Sequence, residues 1–146
     1  MTKNRGKAEC GQALLELVIV LMVLGLIITA VLSVVTNSVR NARFAKDQAQ
    51  ASRYAQEALE WVRTQRDTAW TNLQARVDRT YCMQALSWTI ASVCTSSQTI
   101  AGTNFVRNTT LATVDSNTIS IDVNVSWVDS MGSHQARQAT YLTKWR

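Results

Sequence analysis

The chain has 146 residues, an apolar fraction of 47% and a formal net charge of +5. This length indicates one small domain, in addition to any membrane anchor. The positive charge is small and scattered along the chain, so it does not by itself indicate a nucleic-acid partner. The sequence contains one histidine, His134, without a ligand cluster, and neither a phosphate-binding glycine loop nor a nucleophile elbow. We therefore predict a protein that is not an enzyme and that holds no metal and no cofactor.

The first predicted element is a leader that covers residues 1–11. Its charged residues are Lys3, Arg5, Lys7 and Glu9, so its net charge is +2. A basic segment at this position is typical of a targeting sequence that stays in the cytoplasm, and no fold is predicted for it. The part of the chain that follows the membrane would then face outward.

An apolar run follows the leader. Leu17–Val35 is nineteen residues long and contains no charged residue. A helix of this length spans roughly 29 Å, close to the hydrocarbon thickness of a bilayer, so the sequence predicts a membrane-spanning helix. Glu16 stands at its entrance. Because an ionised carboxylate costs about 2.5–3.5 kcal/mol at the centre of a membrane helix, we expect Glu16 to be paired.

The order of Gly11, Gln12 and Glu16 before this run resembles the prepilin signature. The resemblance implies that a prepilin peptidase cleaves between Gly11 and Gln12 on the cytoplasmic side. It also implies that an inner-membrane assembly platform builds the mature helix into a filament of the type IV pilus and type II secretion class. Many pilins begin with phenylalanine where this chain has Gln12, which leaves the methylation of Gln12 open.

Cleavage would give Gln12 a new α-amino group, which is mostly charged at neutral pH. Among packed apolar helices this ammonium can neutralise Glu16 of the next subunit, so the two charges would set the depth of each subunit. An ordinary secretory signal is disfavoured, because its apolar core is shorter and contains no acid. The remaining alternative is a single-pass anchored protein that does not polymerise, either a receptor or a DNA-binding module.

A long helix is predicted from Gln12 to about Asp67, because this span contains no proline and one glycine, Gly25. Residues 12–36 would form the membrane and filament-core part, and residues 37–67 an amphipathic continuation rich in helix-favouring residues. Small and apolar residues recur there at spacings of three and four, which indicates one buried face. They are Ala42, Ala45, Ala49, Ser52, Ala55, Leu59 and Val62. Two helices with a break near Thr36–Asn41 remain the alternative.

Residues 68–146 are predicted to form a globular β-sheet head. The predicted strands are Thr80–Ala85, Asn104–Val114, Ile119–Val128 and Ala136–Lys144, with turns at Asp115–Asn117 and Asp129–His134. The fold class is therefore α+β: a long N-terminal transmembrane helix packed against a small antiparallel sheet. This layout is similar to that of pilins, and the pieces NFVRNTTL, VNVSWVD and ATYLTKW resemble PilV-like minor prepilins.

Three cysteines are present, and Cys10 would leave with the leader. Cys82 and Cys94 remain, in a part that is predicted to lie outside the cytoplasm, so we expect them to form a disulfide that closes a short loop. Two free buried thiols are the alternative.

Three weaker hypotheses, about a calcium site, ion pairs and a DNA-contacting surface, involve residues of the head and of the end of the helix. Asp115 and Asn117 carry oxygens that suit calcium, but a turn explains them. Glu57 and Glu60 with Arg63 and Arg66 are interpreted as solvated helix pairs. An aromatic and basic surface that contacts DNA is the least favoured partner. Its members would be Trp88, Trp127, Trp145, Arg107, Arg137 and Arg146, although Trp127 shares the phase of the core strand.

Overall fold

The computed structural model describes the backbone of residues 6–144 and the side chains of residues 12–144. The chain divides between Phe44 and Ala45 into two compact units, which we call the amino-terminal unit and the head. The secondary-structure elements are α1 Gly6–Thr68, α2 Trp70–Gln74, β1 Arg79–Cys82, β2 Val106–Asp115, β3 Thr118–Asp129 and β4 Gly132–Thr143. A long helix and a four-stranded antiparallel sheet thus give the α+β layout that the sequence predicts.

Helix α1 is one element from Gly6 to Thr68, and no break occurs at Thr36–Asn41. Its start corrects the expectation that the whole leader carries no fold, because helical backbone begins five residues before Gly11. The physical reason is composition: Lys7, Ala8 and Glu9 are good helix formers, and no proline interrupts the segment up to Gln12. Residues 1–5 of the leader lie outside the described part of the chain.

The buried face of α1 lies within the head. Ala51, Ala55, Ala58, Leu59 and Val62 are at most 6% exposed, and they recur at spacings of three and four. Three of these five residues are alanine, and a long side chain of the sheet reaches this part of the helix: Arg107 Nη1 donates to the Tyr54 carbonyl oxygen at 3.1 Å.

The buried face that the sequence predicts is therefore correct at its carboxyl-terminal end and wrong at its amino-terminal end. Ala42, Ala45 and Ala49 are exposed, whereas Ala51 and Ala58, which the prediction does not include, are buried. Within the head, burial of the helix begins at Ala51, so the alternation of small residues before that point does not report core contacts.

The sheet is an antiparallel meander in the order β1-β2-β3-β4. Strand β3 alternates as predicted, with Ile119, Ile121, Val123, Val125 and Trp127 directed into the core at no more than 2% exposure. A turn at Ser116 and Asn117 joins β2 to β3, in agreement with the prediction.

Strands β1 and β4 differ from their predicted bounds. Strand β1 ends at Cys82, and β4 begins at Gly132, four residues before the predicted start. The β3–β4 pairing continues to Asp129 and Gly132, which leaves only a two-residue turn. Gly132 adopts a φ of +129°, which glycine tolerates at such a turn. The start of β4 is not evident from the sequence, because its first residues are exposed and show no apolar alternation.

Candidate functional site

The amino-terminal unit presents an apolar surface without cover. Every leucine, isoleucine, valine and methionine side chain from Leu14 to Val39 is between 46% and 71% exposed. Soluble monomers rarely expose contiguous apolar patches larger than a few hundred Å². This helix surface therefore has to be covered by lipid or by other apolar helices.

Three hydroxyl groups of this apolar stretch, those of Thr29, Ser33 and Thr36, are satisfied by the helix itself. Thr29 Oγ1 donates to the Leu26 carbonyl oxygen at 2.9 Å, and Ser33 Oγ donates to the Thr29 carbonyl oxygen at 3.1 Å. Thr36 Oγ1 donates in the same way to the Leu32 carbonyl oxygen. Such bonds leave no hydroxyl of these three residues that needs water, which suits a helix in an apolar environment.

Glu16 is the one acidic residue between Gln12 and Lys46, and the next charged residue after it is Arg40. Gln12 and Glu16 are both exposed and stand four residues apart on α1, so they share one face of the helix. For Gly11 the structure describes only helical backbone, which means that the predicted cleavage point lies within a helix of the uncleaved chain.

Within the described residues, one helix is long and apolar enough to cross a membrane. It covers Gln12–Thr68 and lies near the N-terminus. Its sequence-predicted features are thus arranged in order along one element: Gln12, then Glu16, then the apolar run.

Arg107 connects the sheet to the helix inside the head. Its side chain is 2% exposed, and its Nη1 lies 2.9 Å from Glu57 Oε2 and donates to the Tyr54 carbonyl oxygen at 3.1 Å. Its Nε donates to the Met83 carbonyl oxygen at 3.1 Å. The interpretation of Glu57 as a member of a solvated helix pair is therefore wrong, although Glu60 does pair with Arg63. Arg107 shares its phase with Thr109 and Leu111 on β2, and this alternation is the sequence signal that could have found it.

The residues considered for DNA contact do not form one surface where the structure describes them. Arg107 and Trp127 are in the core, and Arg137 donates through Nε to Asp122 Oδ2 at 2.6 Å, a bond that raises the pKa of the guanidinium. Trp88 packs on Trp61 and lies under the Arg76 guanidinium, whose carbon is 5.5 Å from the ring centroid. Trp145 and Arg146 lie outside the described residues.

Cys82 and Cys94 form the expected disulfide, with an S–S distance of 2.03 Å. The loop that it closes is also held by hydrogen bonds from the main-chain N–H groups of both cysteines. The Cys82 N–H donates to the Ile90 carbonyl oxygen at 2.9 Å, and the Cys94 N–H donates to Asn108 Oδ1 at 2.8 Å. The disulfide thus fastens an otherwise irregular segment to β1 and β2.

Asp115 and Asp129 each hold a turn of the sheet. Asp115 Oδ1 accepts the Asn117 N–H at 2.7 Å, and this bond lowers the pKa of the carboxyl group. Asp129 Oδ1 accepts the Met131 N–H at 2.7 Å, which lowers its pKa, and lies 3.0 Å from His134 Nε2. His134 is a half-buried residue of β4 rather than a solvated turn residue, and its ring lies against Trp127. In the described part of the chain no three acidic, histidine or cysteine side chains are grouped as metal ligands.

Comparison of the chain with protein-family models, with curated proteins and with solved structures finds no match.

Proposed function

We propose that this chain is a structural subunit of a type IV pilus-like filament, a minor pilin or a secretion pseudopilin. In this proposal a prepilin peptidase removes residues 1–11, and an inner-membrane assembly platform moves the mature chain from the membrane into the filament. The head lies outside the cytoplasm, first at the membrane and then on an extracellular or periplasmic fibre. The chain has a mechanical role and performs no chemistry.

The observation that carries the proposal is the uncovered apolar helix with one acid at its amino-terminal end. A bilayer covers such a helix before assembly, and the helices of neighbouring subunits cover it afterwards. Both environments disfavour an unpaired carboxylate, so Glu16 requires a cation. The α-amino group of Gln12 on the adjoining subunit supplies one, and it exists only after cleavage.

The proposed contact is head-to-tail, because Glu16 of one subunit meets the amino terminus of another. Repetition of a contact between two different surfaces produces an open helical polymer unless the rotation closes it into a ring. Filament growth follows from this geometry, and the charge pair fixes the depth at which each new helix stops.

A second candidate is an anchored receptor or DNA-binding module that stays monomeric. The exposed apolar helix would serve equally well as a simple anchor. The two candidates differ at the N-terminus: mass spectrometry of the membrane-extracted protein should find Gln12 first for a pilin and an intact Met1 for a simple anchor.

The decisive variant is Glu16→Ala, expressed with a prepilin peptidase and the partner subunits. We expect it to be inserted and cleaved normally, but to be incorporated at least about tenfold less into sheared surface fibres, because the neighbour's ammonium loses its counter-ion. Immunoblots of the fibre and membrane fractions provide the measurement. Glu60→Ala, which removes an exposed acid from the head part of the same helix, should be incorporated like the wild type. Normal incorporation of Glu16→Ala would refute the charge-pairing proposal.

A further inference from the structure

One face of the amino-terminal unit combines apolar side chains with two arginines. Leu32, Val35, Thr36, Val39, Arg40 and Arg43 line a shallow, open surface along the helix. Their spacings of three, one, three, one and three place them on a single face, which we call the arginine face. Arg40 and Arg43 are both exposed.

The two charged residues of this face are both basic. After Glu16 the first acidic residue is Asp47, which lies one helical turn beyond Arg43 and two turns beyond Arg40, so Arg40 has no carboxylate within one turn of the helix on either side. Arginine presents a planar fork of donors that matches a phosphate group. A ligand for this face therefore has an anionic, phosphate-like end and an apolar body.

The dimensions of the face fit a lipid in one leaflet. Because the apolar run Leu17–Val35 already spans about the whole hydrocarbon core, Leu32 and Val35 lie at its outer edge. Arg40 lies five residues beyond Val35, about 7.5 Å along the axis, within the headgroup layer. Helical side chains lean toward the amino end of their helix, so both arginines lean back toward the apolar run and reach the phosphate level.

We infer that the arginine face binds an anionic phospholipid, with the headgroup phosphate on Arg40 and Arg43 and the upper part of an acyl chain along Leu32 and Val35. This inference rests on the proposed membrane stage of the subunit and adds a lipid preference to it. Such a lipid would hold the helix at a fixed depth before assembly, and it would have to leave when other helices cover the face.

The test uses the full-length chain in vesicles that contain equimolar phosphatidylglycerol and phosphatidylcholine. Native mass spectrometry then counts the lipids that remain bound after release. For the wild type we expect about thirtyfold more phosphatidylglycerol than phosphatidylcholine, which corresponds to about 2 kcal/mol for two basic residues. The variant Arg40→Gln/Arg43→Gln should lose this preference. An unchanged preference in that variant would overturn the inference.

Two controls separate the alternatives. Arg53→Gln/Arg79→Gln removes the same charge from exposed positions of the head and should keep the preference; an equal loss there would mean that net charge alone acts. Added inorganic phosphate should not displace the lipid, because it lacks the apolar body. Recovery of a lipid-free dimer that depends on Arg40 and Arg43 would assign the face to a second copy of the chain and refute lipid binding.

The proposed membrane stage is measured separately, in vesicles of phosphatidylcholine alone. The wild type and the arginine variant should both resist alkaline carbonate extraction from these vesicles, because insertion depends on the apolar run. Extraction of the wild type would refute the membrane stage itself. Retention of both proteins without a lipid preference would refute only the inference about the arginine face.

Discussion

The two parts of helix α1 differ in how far their apolar side chains are exposed. From Leu14 to Val39 every large apolar side chain is at least 46% exposed, whereas Ala51, Ala55 and Ala58 in the head are completely buried. The first part is rich in leucine, valine and isoleucine, and the second is rich in alanine and charged residues. One secondary structure thus serves two environments, and the size and polarity of the side chains decide which environment each part requires.

This difference shows that helicity does not report what a helix packs against. The head part of the helix is amphipathic and buries its apolar face within the head, so this packing contributes to the stability of the folded head. The amino-terminal part is apolar on all sides, and no described part of the chain covers it. Changes in the head should therefore alter its unfolding and leave membrane association intact, and the predictions below test that separation.

The largest effect on the head is expected from Arg107→Ala. This change removes a buried side chain and leaves the Tyr54 and Met83 carbonyl oxygens without its donors, so it should lower the free energy of unfolding by roughly 4 kcal/mol. Chemical denaturation followed by tryptophan fluorescence would measure the loss. Alkaline carbonate extraction of the same variant should be unchanged, since the apolar run is intact.

The matched control is Arg53→Ala, which truncates an exposed arginine on the head part of α1 and should change stability by no more than about 0.5 kcal/mol. Arg107→Met keeps much of the volume without the charge and should cost less than the alanine variant. Equal losses in Arg107→Ala and Arg53→Ala would contradict the assignment of Arg107 as the connection between sheet and helix.

The next effect is expected from the disulfide. Replacing Cys82 and Cys94 by serine should destabilise the head by about 3 kcal/mol, because the bridge limits the unfolded chain by closing a short loop. The denaturation midpoint of the head should fall, while the fraction of protein that resists carbonate extraction should stay constant. Cys10→Ser is the control and should alter neither quantity.

Thiol counting in the same samples sharpens this prediction. The uncleaved chain should show one reactive thiol when it is denatured without a reductant, because Cys10 is the cysteine outside the bridge. The cleaved chain should show none. Three thiols in the unreduced, uncleaved chain would refute the bridge under those conditions.

Much of the head could be predicted from sequence, because local rules determine those parts. The alternation of β3 and the turn at Asp115–Asn117 depend on neighbouring residues, and the structure agrees with both. The disulfide followed from the cysteine count and the expected compartment. By contrast, the start of β4 depends on pairing with β3, which edge residues such as Ser133 and Gln135 do not reveal.

The candidate site shows the same limit. The apolar run and Glu16 are evident from the sequence alone, since neither depends on tertiary contacts. An arginine in a strand is usually solvated, so the sequence suggests Arg107 only as a member of a DNA-contacting surface. The burial of Arg107 depends on Glu57, fifty residues earlier in the chain, and only the packing of helix on sheet brings the two together. Sequence patterns therefore predict least well which partners the polar end of a long side chain contacts.

The smallest predicted effect is a pH dependence that belongs to the head alone. Hydrogen bonds from the Asn117 and Met131 N–H groups lower the pKa values of Asp115 and Asp129 below the model-peptide value of about 3.9. A lowered pKa in the folded state means that the ionised carboxylate favours folding. Its contribution is complete above the unfolded pKa and is lost as the pH falls through the folded pKa.

Acid should therefore weaken the head more in the wild type than in Asp115→Asn/Asp129→Asn, because asparagine keeps an oxygen acceptor and does not titrate. Denaturation midpoints at neutral pH and at a pH below the folded pKa values provide the measurement. Each single variant should remove part of the difference, since the two turns are separate. An equal acid sensitivity in the wild type and the double variant would show that the turn carboxylates contribute nothing. A fall in membrane association over the same pH range would instead contradict the separation of the two parts of the helix.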